Sequence, residues 1–210
     1  QLDISEYDSE RARTVEFGIK SQTSDRKVTF NAATFYTKIR DFQLVTFTGI
    51  NFEVGNTDLR TYGLETELAW APTRDWRLYW NNTYARAKDL ILDDKTTHAP
   101  RWSGVAGAAY TPQITDDLEM LLYADVVYRS TEIGQRNQSN VIPIPSVTKL
   151  NAGIGVESME NGWTLRLIGK NLTNEHSFGF VFPAPLQPAG NVVAIPEEPR
   201  TILLQVGLKY

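Results

Sequence analysis

Glu65 and Glu67 stand two residues apart, a spacing that puts both carboxyls on one face of a strand. Such a pair could do acid–base chemistry if burial drove their pKa values apart. The same spacing also suits carboxylates of a wet interior that meet Arg or Lys of a neighbouring strand, and that reading is preferred. His98 and His176 lie close in sequence to Asp93, Asp94 and Glu175. A metal site would have to bring these distant ligands together, and solvent-exposed loop residues are the expectation. Asn171-Leu172-Thr173 has the form of a glycosylation sequon and is expected to be a strand end or turn. The chain has no cysteine, which excludes disulfides and thiolate metal sites. Without a nucleophile–base pair or a glycine-rich phosphate loop, nothing supports catalysis. No enzyme activity, cofactor or metal is expected.

A second group of residues fits binding better than catalysis. Arg101, Trp102, Arg129 and Arg136 fall near the ends of long connections. The segment from Glu175 to Pro199 adds His176, Phe178, Phe180 and Phe182 with Pro183, Pro185 and Pro188. Guanidinium groups beside aromatic faces suit a polyanionic or aromatic chelate, and prolines would stiffen the surface. Arg101, Trp102, Arg129, Arg136, His176, Phe178 and Phe180 are therefore the candidate ligand-binding residues. The competing expectation is that these groups pack against other loops or against lipopolysaccharide.

The elements that must position them are strands. The 210 residues carry a net charge of −4 and no basic tract, so nucleic acid is not an expected partner. No apolar run reaches the roughly 18 residues of a membrane-spanning helix. A mean hydropathy of −0.32 does not exclude a membrane barrel, in which only alternate residues meet lipid. Period-2 segments predict about nine strands, approximately 13–24, 27–47, 53–71, 76–88, 100–111, 118–130, 147–158, 163–174 and 200–210. Their connections alternate between short and long, with Thr48 to Phe52 the one long member that is barely longer than a turn. Bacterial barrels sort their connections this way, with short periplasmic turns and long extracellular loops.

Sidedness follows. Leu118, Met120, Leu122, Ala124, Val126 and Tyr128 form one face of the sixth strand. In the same way Leu150, Ala152, Ile154 and Val156 share a face, as do Ile202, Leu204, Val206, Leu208 and Tyr210. Trp70, Trp76, Tyr110, Trp163 and Tyr210 cluster at short-turn ends, where an aromatic girdle is expected at headgroup level. Tyr84 and Tyr128 fit the opposite belt. Three features fit poorly. Asn82 falls on a lipid-facing side, the strand over 27–47 loses phase around Ala32 to Phe35, and the strand over 100–111 has almost no sidedness. With long loops outside, the chain ends in the periplasm and nine strands put residue 1 on the extracellular side. Barrels close with even strand numbers. The whole of 1–210 is thus expected to be the carboxyl-terminal part of an outer-membrane barrel, with earlier strands elsewhere.

A family resemblance rests on Glu16-Phe17-Gly18-Ile19-Lys20, Asn31 to Tyr36, Asp41-Phe42-Gln43, and Asn56 leading to Gly63-Leu64-Glu65-Thr66-Glu67. It continues with Gly169-Lys170-Asn171-Leu172-Thr173-Asn174, Pro199-Arg200-Thr201-Ile202 and the terminal aromatic Tyr210. In this order the pieces resemble the TonB-dependent outer-membrane receptors. The resemblance implies an all-β, antiparallel transmembrane barrel of about 22 strands, closed by an amino-terminal plug domain that matches nothing in these residues. It also implies active uptake of a scarce ligand, commonly a ferric siderophore or cobalamin, with energy from the TonB-ExbB-ExbD complex acting on the plug. A passive porin or structural barrel is the alternative, lacking plug and tight ligand.

Overall fold

The computed structural model describes residues 7–47, 50–137, 140–188 and 191–209, without the side chains of Thr46, Phe47, Arg136, Asn137 and Asn140. Tyr210, expected in the girdle, lies outside these residues. The described chain has fourteen strands and no helix. Nine of them form one antiparallel wall in which consecutive long strands pair. They are β1 (Arg11–Gln22), β2 (Val28–Phe47), β3 (Phe52–Trp70), β4 (Trp76–Asp89), β6 (Trp102–Tyr110), β7 (Leu118–Arg129), β10 (Val147–Ser158), β11 (Trp163–Lys170) and β14 (Thr201–Leu208). A two-residue strand, β5 (Asp94–Lys95), pairs with the end of β4. The wall's outer edges are β1 and β14.

Register makes one face apolar from edge to edge. Phe17, Thr34, Leu64, Tyr84 and Trp102 are successive cross-strand neighbours, and so are Tyr110, Leu122, Ile154, Leu167 and Leu204. These side chains are open: Phe17 is 77% exposed, Ile154 49% and Leu204 70%. A largely apolar face of this size is unsuited to water and suited to hydrocarbon. On the opposite face run Glu16, Glu65, Glu67, Asn81, Asp125, Asn151 and Arg166, the residues of a wet interior. Asn31 donates its side-chain N–H to Glu67 at 3.0 Å, and Asn151 donates to Asp125 at 2.8 Å.

Several sequence expectations need correction. The phase of β2 is unbroken through Ala32 to Phe35. Alternation continues there through small side chains, and the register shifts later, between Ile39 and Phe42, where Asp41 takes a φ of 56°. β6 does have sides, because Trp102, Ala106, Ala108 and Tyr110 join the apolar face. β11 stops at Lys170, four residues before the expected end, since Asn171 turns left-handed with a φ of 48°. The connections expected as loops hold two hairpins, β8 (Glu132–Asn137) with β9 (Asn140–Ile144), and β12 (Phe178–Pro183) with β13 (Val192–Pro196). Their strands are too short to signal by alternation. Asn82 does lie on the apolar face, in register with Thr66 and Gly104, and the Thr66 hydroxyl reaches its carbonyl at 3.4 Å.

Short turns are tied at the other rim. Asp117, between β6 and β7, accepts hydrogen bonds from the Ser158 hydroxyl at 2.8 Å and the Glu160 N–H at 2.7 Å, which joins two adjacent turns. The Glu160 amide and the Ser158 hydroxyl hold its carboxyl below the usual carboxylate range. Trp76 and Tyr110 stack there with centroids 4.6 Å apart. That is the amphipathic pair expected of a headgroup-level girdle.

Candidate functional site

The long connections are built as a small folded assembly over the wet face. Ile144 is fully buried and Val181 is 3% exposed, and with Val147 at the start of β10 they are the buried apolar residues of the described chain. Gly134 lies between Ile144 and Val181, and a Cβ there would come within 2.7 Å of Ile144. The β12 hairpin packs on β8 and β9. The third long connection joins through a parallel bridge of Thr97 to Ile133, and the His98 N–H donates to the Ile133 carbonyl at 2.7 Å.

Beneath this assembly a charge network fixes the hairpins to the wall. Glu197 follows β13 and receives Lys149 of β10 at 2.6 Å, Arg129 of β7 at 2.9 Å and the Ser177 hydroxyl at 2.6 Å. Burial pushes the Glu197 carboxyl up, but the Lys149 and Ser177 hydrogen bonds and the Arg129 charge outweigh it and hold the group at about 2. Arg129 also faces Glu132 at 3.6 Å and donates to the Phe178 carbonyl at 3.2 Å. Asn171 is the other anchor. Its side chain accepts from the Glu175 N–H at 2.9 Å and donates to the carbonyls of Glu175 and Glu198 at 2.9 and 3.2 Å. At 3% exposure it works as the expected turn, with its side chain fully used inside the fold.

The seven candidate ligand residues do not form one site. Arg129, Phe178 and Phe180 come together on the wet side, with Phe178 37% and Phe180 44% exposed. His98 stacks on Phe180 at 5.0 Å and 11°, and Phe182 tilts against Phe180 at 5.9 Å. His98 was expected as a lone loop residue, and only the packing of two connections makes it part of an aromatic plate. His176 is exposed, two residues before Phe178 in the chain. Trp102 is elsewhere, on the apolar face, with its ring 4.6 Å from Tyr84. Arg101 lines an outward cleft with Arg60 and Arg86. The Arg136 side chain lies outside the described residues. Lys149, Glu132 and Glu197 escaped the sequence reading, because an isolated charge in a strand or loop carries no sign of its partner.

Below the plate, a cleft of about 750 Å³ runs along the wet face, from Glu65, Glu67 and Asn81 up to Arg129, Lys149 and Glu197. Glu65 and Glu67 thus line this cleft at mid-wall. Among the described residues no group of three His, Cys, Asp or Glu could hold a metal ion.

Comparison with known proteins gives the family. The family model described as "TonB dependent receptor-like, beta-barrel" matches residues 3–172. None of the curated protein sequences is similar enough to count as a relative. Among solved structures, the ferric yersiniabactin uptake receptor FyuA of Yersinia pestis superposes with a TM-score of 0.78 at 19% identity, over 94% of this chain and 29% of that one. The copper transporter OprC gives 0.75 at 18% identity, over 96% of this chain and 31% of that one. The ferripyoverdine receptor of the outer membrane of Pseudomonas aeruginosa gives 0.71 at 13% identity, over 95% of this chain and 27% of that one. The chain therefore spans less than a third of the length of these structures, and at such identities the likeness is one of fold. The family match covers most of the chain, and this protein belongs to the TonB-dependent receptors, as part of their β-barrel.

Proposed function

We propose that this chain is the carboxyl-terminal barrel segment of an outer-membrane receptor that binds a scarce chelate at its extracellular face and imports it. The ligand class is a ferric siderophore, and the energy comes through TonB-ExbB-ExbD acting on a plug domain. The observation that carries this reading is the plate of His98, Phe180 and Phe182, on the hairpin whose Phe178 carbonyl binds Arg129, together with the cleft along the wet face. An aromatic or anionic chelate can stack on such a plate and meet a guanidinium at its edge. Ligand contact is thus assigned to Phe178, Phe180, His98 and His176, with Arg129 holding the hairpin that presents them.

Orientation follows from the connections. Long ones face outward in bacterial barrels, so the plate is extracellular and the last strand ends in the periplasm. The unpaired edges of β1 and β14 would be costly in lipid, so further strands of the receptor complete the wall and surround the plug. No observation favours a passive porin, and the family's work is transport rather than catalysis.

The test is uptake by cells carrying the full receptor, offered a panel of iron-loaded siderophores. Import of one member is expected to stop when the proton-motive force is collapsed. Phe180→Ala and His98→Ala should each weaken binding by roughly 1 kcal/mol, the scale of one aromatic contact. Uptake that continues without the proton-motive force would remove the active-transport reading. Binding untouched by both substitutions would remove the plate as the site.

A further inference from the structure

Within the apolar face stands a side-chain amide, Asn82 of β4, half-buried and in register with Thr66 and Gly104. The Thr66 hydroxyl donates to the Asn82 backbone carbonyl at 3.4 Å, and among the described residues no hydrogen bond reaches the side-chain amide itself. A Cβ at Gly104 would come within 2.7 Å of the Asn81 carbonyl oxygen and 3.1 Å of Asn82 Oδ1. Glycine therefore leaves a gap in the wall directly beside the amide.

Depth makes this placement costly. Trp76 and Asn82 share one face of β4, six residues apart. At about 3.3 Å per residue and a tilt near 40°, Asn82 stands roughly 15 Å above the girdle, in a hydrocarbon band about 25 Å thick. The headgroup oxygens of the far boundary are then roughly 10 Å away. Hydrocarbon offers an amide neither donor nor acceptor, and a polar group left unpaired there is destabilising.

Rings collect around the amide. Trp80 and Tyr84 flank Asn82 along β4, Trp102 flanks Gly104 in β6, and Tyr128 of β7 is the cross-strand neighbour of Gly104. Trp80 is 43% exposed, Trp102 47% and Tyr128 42%. By the same rise Trp80 lies only about 10 Å above Trp76, too deep for its indole N–H to reach headgroups as a belt tryptophan does. Exposed aromatics around a polar centre are the composition of a protein contact rather than of a wall that meets only lipid.

We propose that this notch is the contact between two copies of the receptor in the membrane, related by a two-fold axis along the membrane normal. An amide carries both a donor and an acceptor, so it is complementary to itself. Each Asn82 donates its Nδ2–H to the Oδ1 of Asn82 of the partner subunit, and one reciprocal pair of bonds satisfies both. Two copies insert in the same sense, which brings the two amides to the same depth without further adjustment, and a two-fold contact uses the same patch on both sides. The gap at Gly104 lets the walls approach closely, as small residues do wherever membrane segments pack around a polar pair. The contact faces away from the lumen and does not depend on which ligand the receptor imports.

The test uses the full-length receptor in outer membranes. These 210 residues contain no cysteine, so Asn82→Cys supplies a single thiol on this face. In a receptor freed of any cysteine elsewhere, oxidation with copper-phenanthroline is expected to give a band of twice the receptor mass that reductant removes. Leu204→Cys, on the same face near the other edge of the wall, should stay monomeric. A second measurement co-expresses two differently tagged receptors and isolates one in mild detergent. Asn82→Leu, an apolar change that suits insertion into hydrocarbon, should lower the recovery of the other tag about tenfold, the scale of a pair of hydrogen bonds between membrane segments. Recovery equal to wild type would overturn the proposal. So would Asn82→Cys that stays monomeric, that cross-links to a protein of another mass, or that cross-links no better than Leu204→Cys.

Discussion

The wall and the rim assembly are stabilised in opposite ways. In the wall, large apolar side chains such as Phe17, Leu165 and Leu204 are exposed, and cohesion comes from backbone ladders running across nine strands. In the rim, Ile144 and Val181 are buried, and Glu197, Arg129, Lys149 and Asn171 tie short hairpins down through side chains. The wall behaves as a solute of hydrocarbon and the rim as a small water-soluble protein. One chain meets two solvents, so the same residue type has opposite consequences in the two regions.

Truncation in the rim core separates them most strongly. Ile144→Ala should cost about 2–5 kcal/mol locally, since buried contacts are lost and a cavity remains. Hydrogen exchange should speed up in 132–144 and 178–196 while β7 and β10 keep their protection. Equal loosening of the wall would mean that the two regions are one cooperative unit.

The converse substitution sits in the wall. Ile154→Arg places a cation at a half-exposed position where a water-soluble sheet would tolerate it. In a membrane barrel it should cost roughly 2–4 kcal/mol near the bilayer midplane. Folding into lipid vesicles, followed by gel mobility of the unheated protein, measures this. A neutral outcome would end the assignment of the apolar face to lipid.

Asn171→Ala comes next, because it leaves the Glu175 amide and two carbonyls without partners. An expected loss of about 1–3 kcal/mol should appear as protease cleavage in 171–200, with the wall intact. Cleavage no faster than in wild type would show that the hairpins hold themselves.

Acid gives the smallest separation. The folded pKa of Glu197 is depressed from 4.5 to about 2, so its contribution is complete above about pH 4.5 and is lost as pH falls toward 2. The group is partly exposed, and screening limits the contribution to about 1 kcal/mol. Exchange in the β12 hairpin should rise over that window, and Glu197→Gln should abolish the dependence. A pH response that survives the substitution would assign the titration elsewhere.

Much of this was legible from alternation. Leu122, Ile154 and Leu204 announce their face because a strand turns successive side chains to opposite sides, and nine segments repeat the message. Gly63, within the motif that carried the resemblance, has a geometric reason. A Cβ there would approach the Tyr84 carbonyl oxygen to 2.1 Å, so only glycine lets β3 and β4 close at that point. The loss of phase in β2 was read seven residues before the register shift, because alanines blur alternation without breaking the ladder. The β8 to β9 and β12 to β13 hairpins were invisible, their five or six residues being too few for a period to emerge.

The sequence by itself determined the nine long strands, their two faces and the difference between the rims, because these follow from local periodicity and connection length. Only the tertiary structure decided that Arg101 and Trp102 point away from Arg129, that His98 lies on Phe180, and that the Asn82 amide stands beside Gly104. Contacts between residues distant in the chain depend on register and packing. No local pattern encodes a register until the strands have paired.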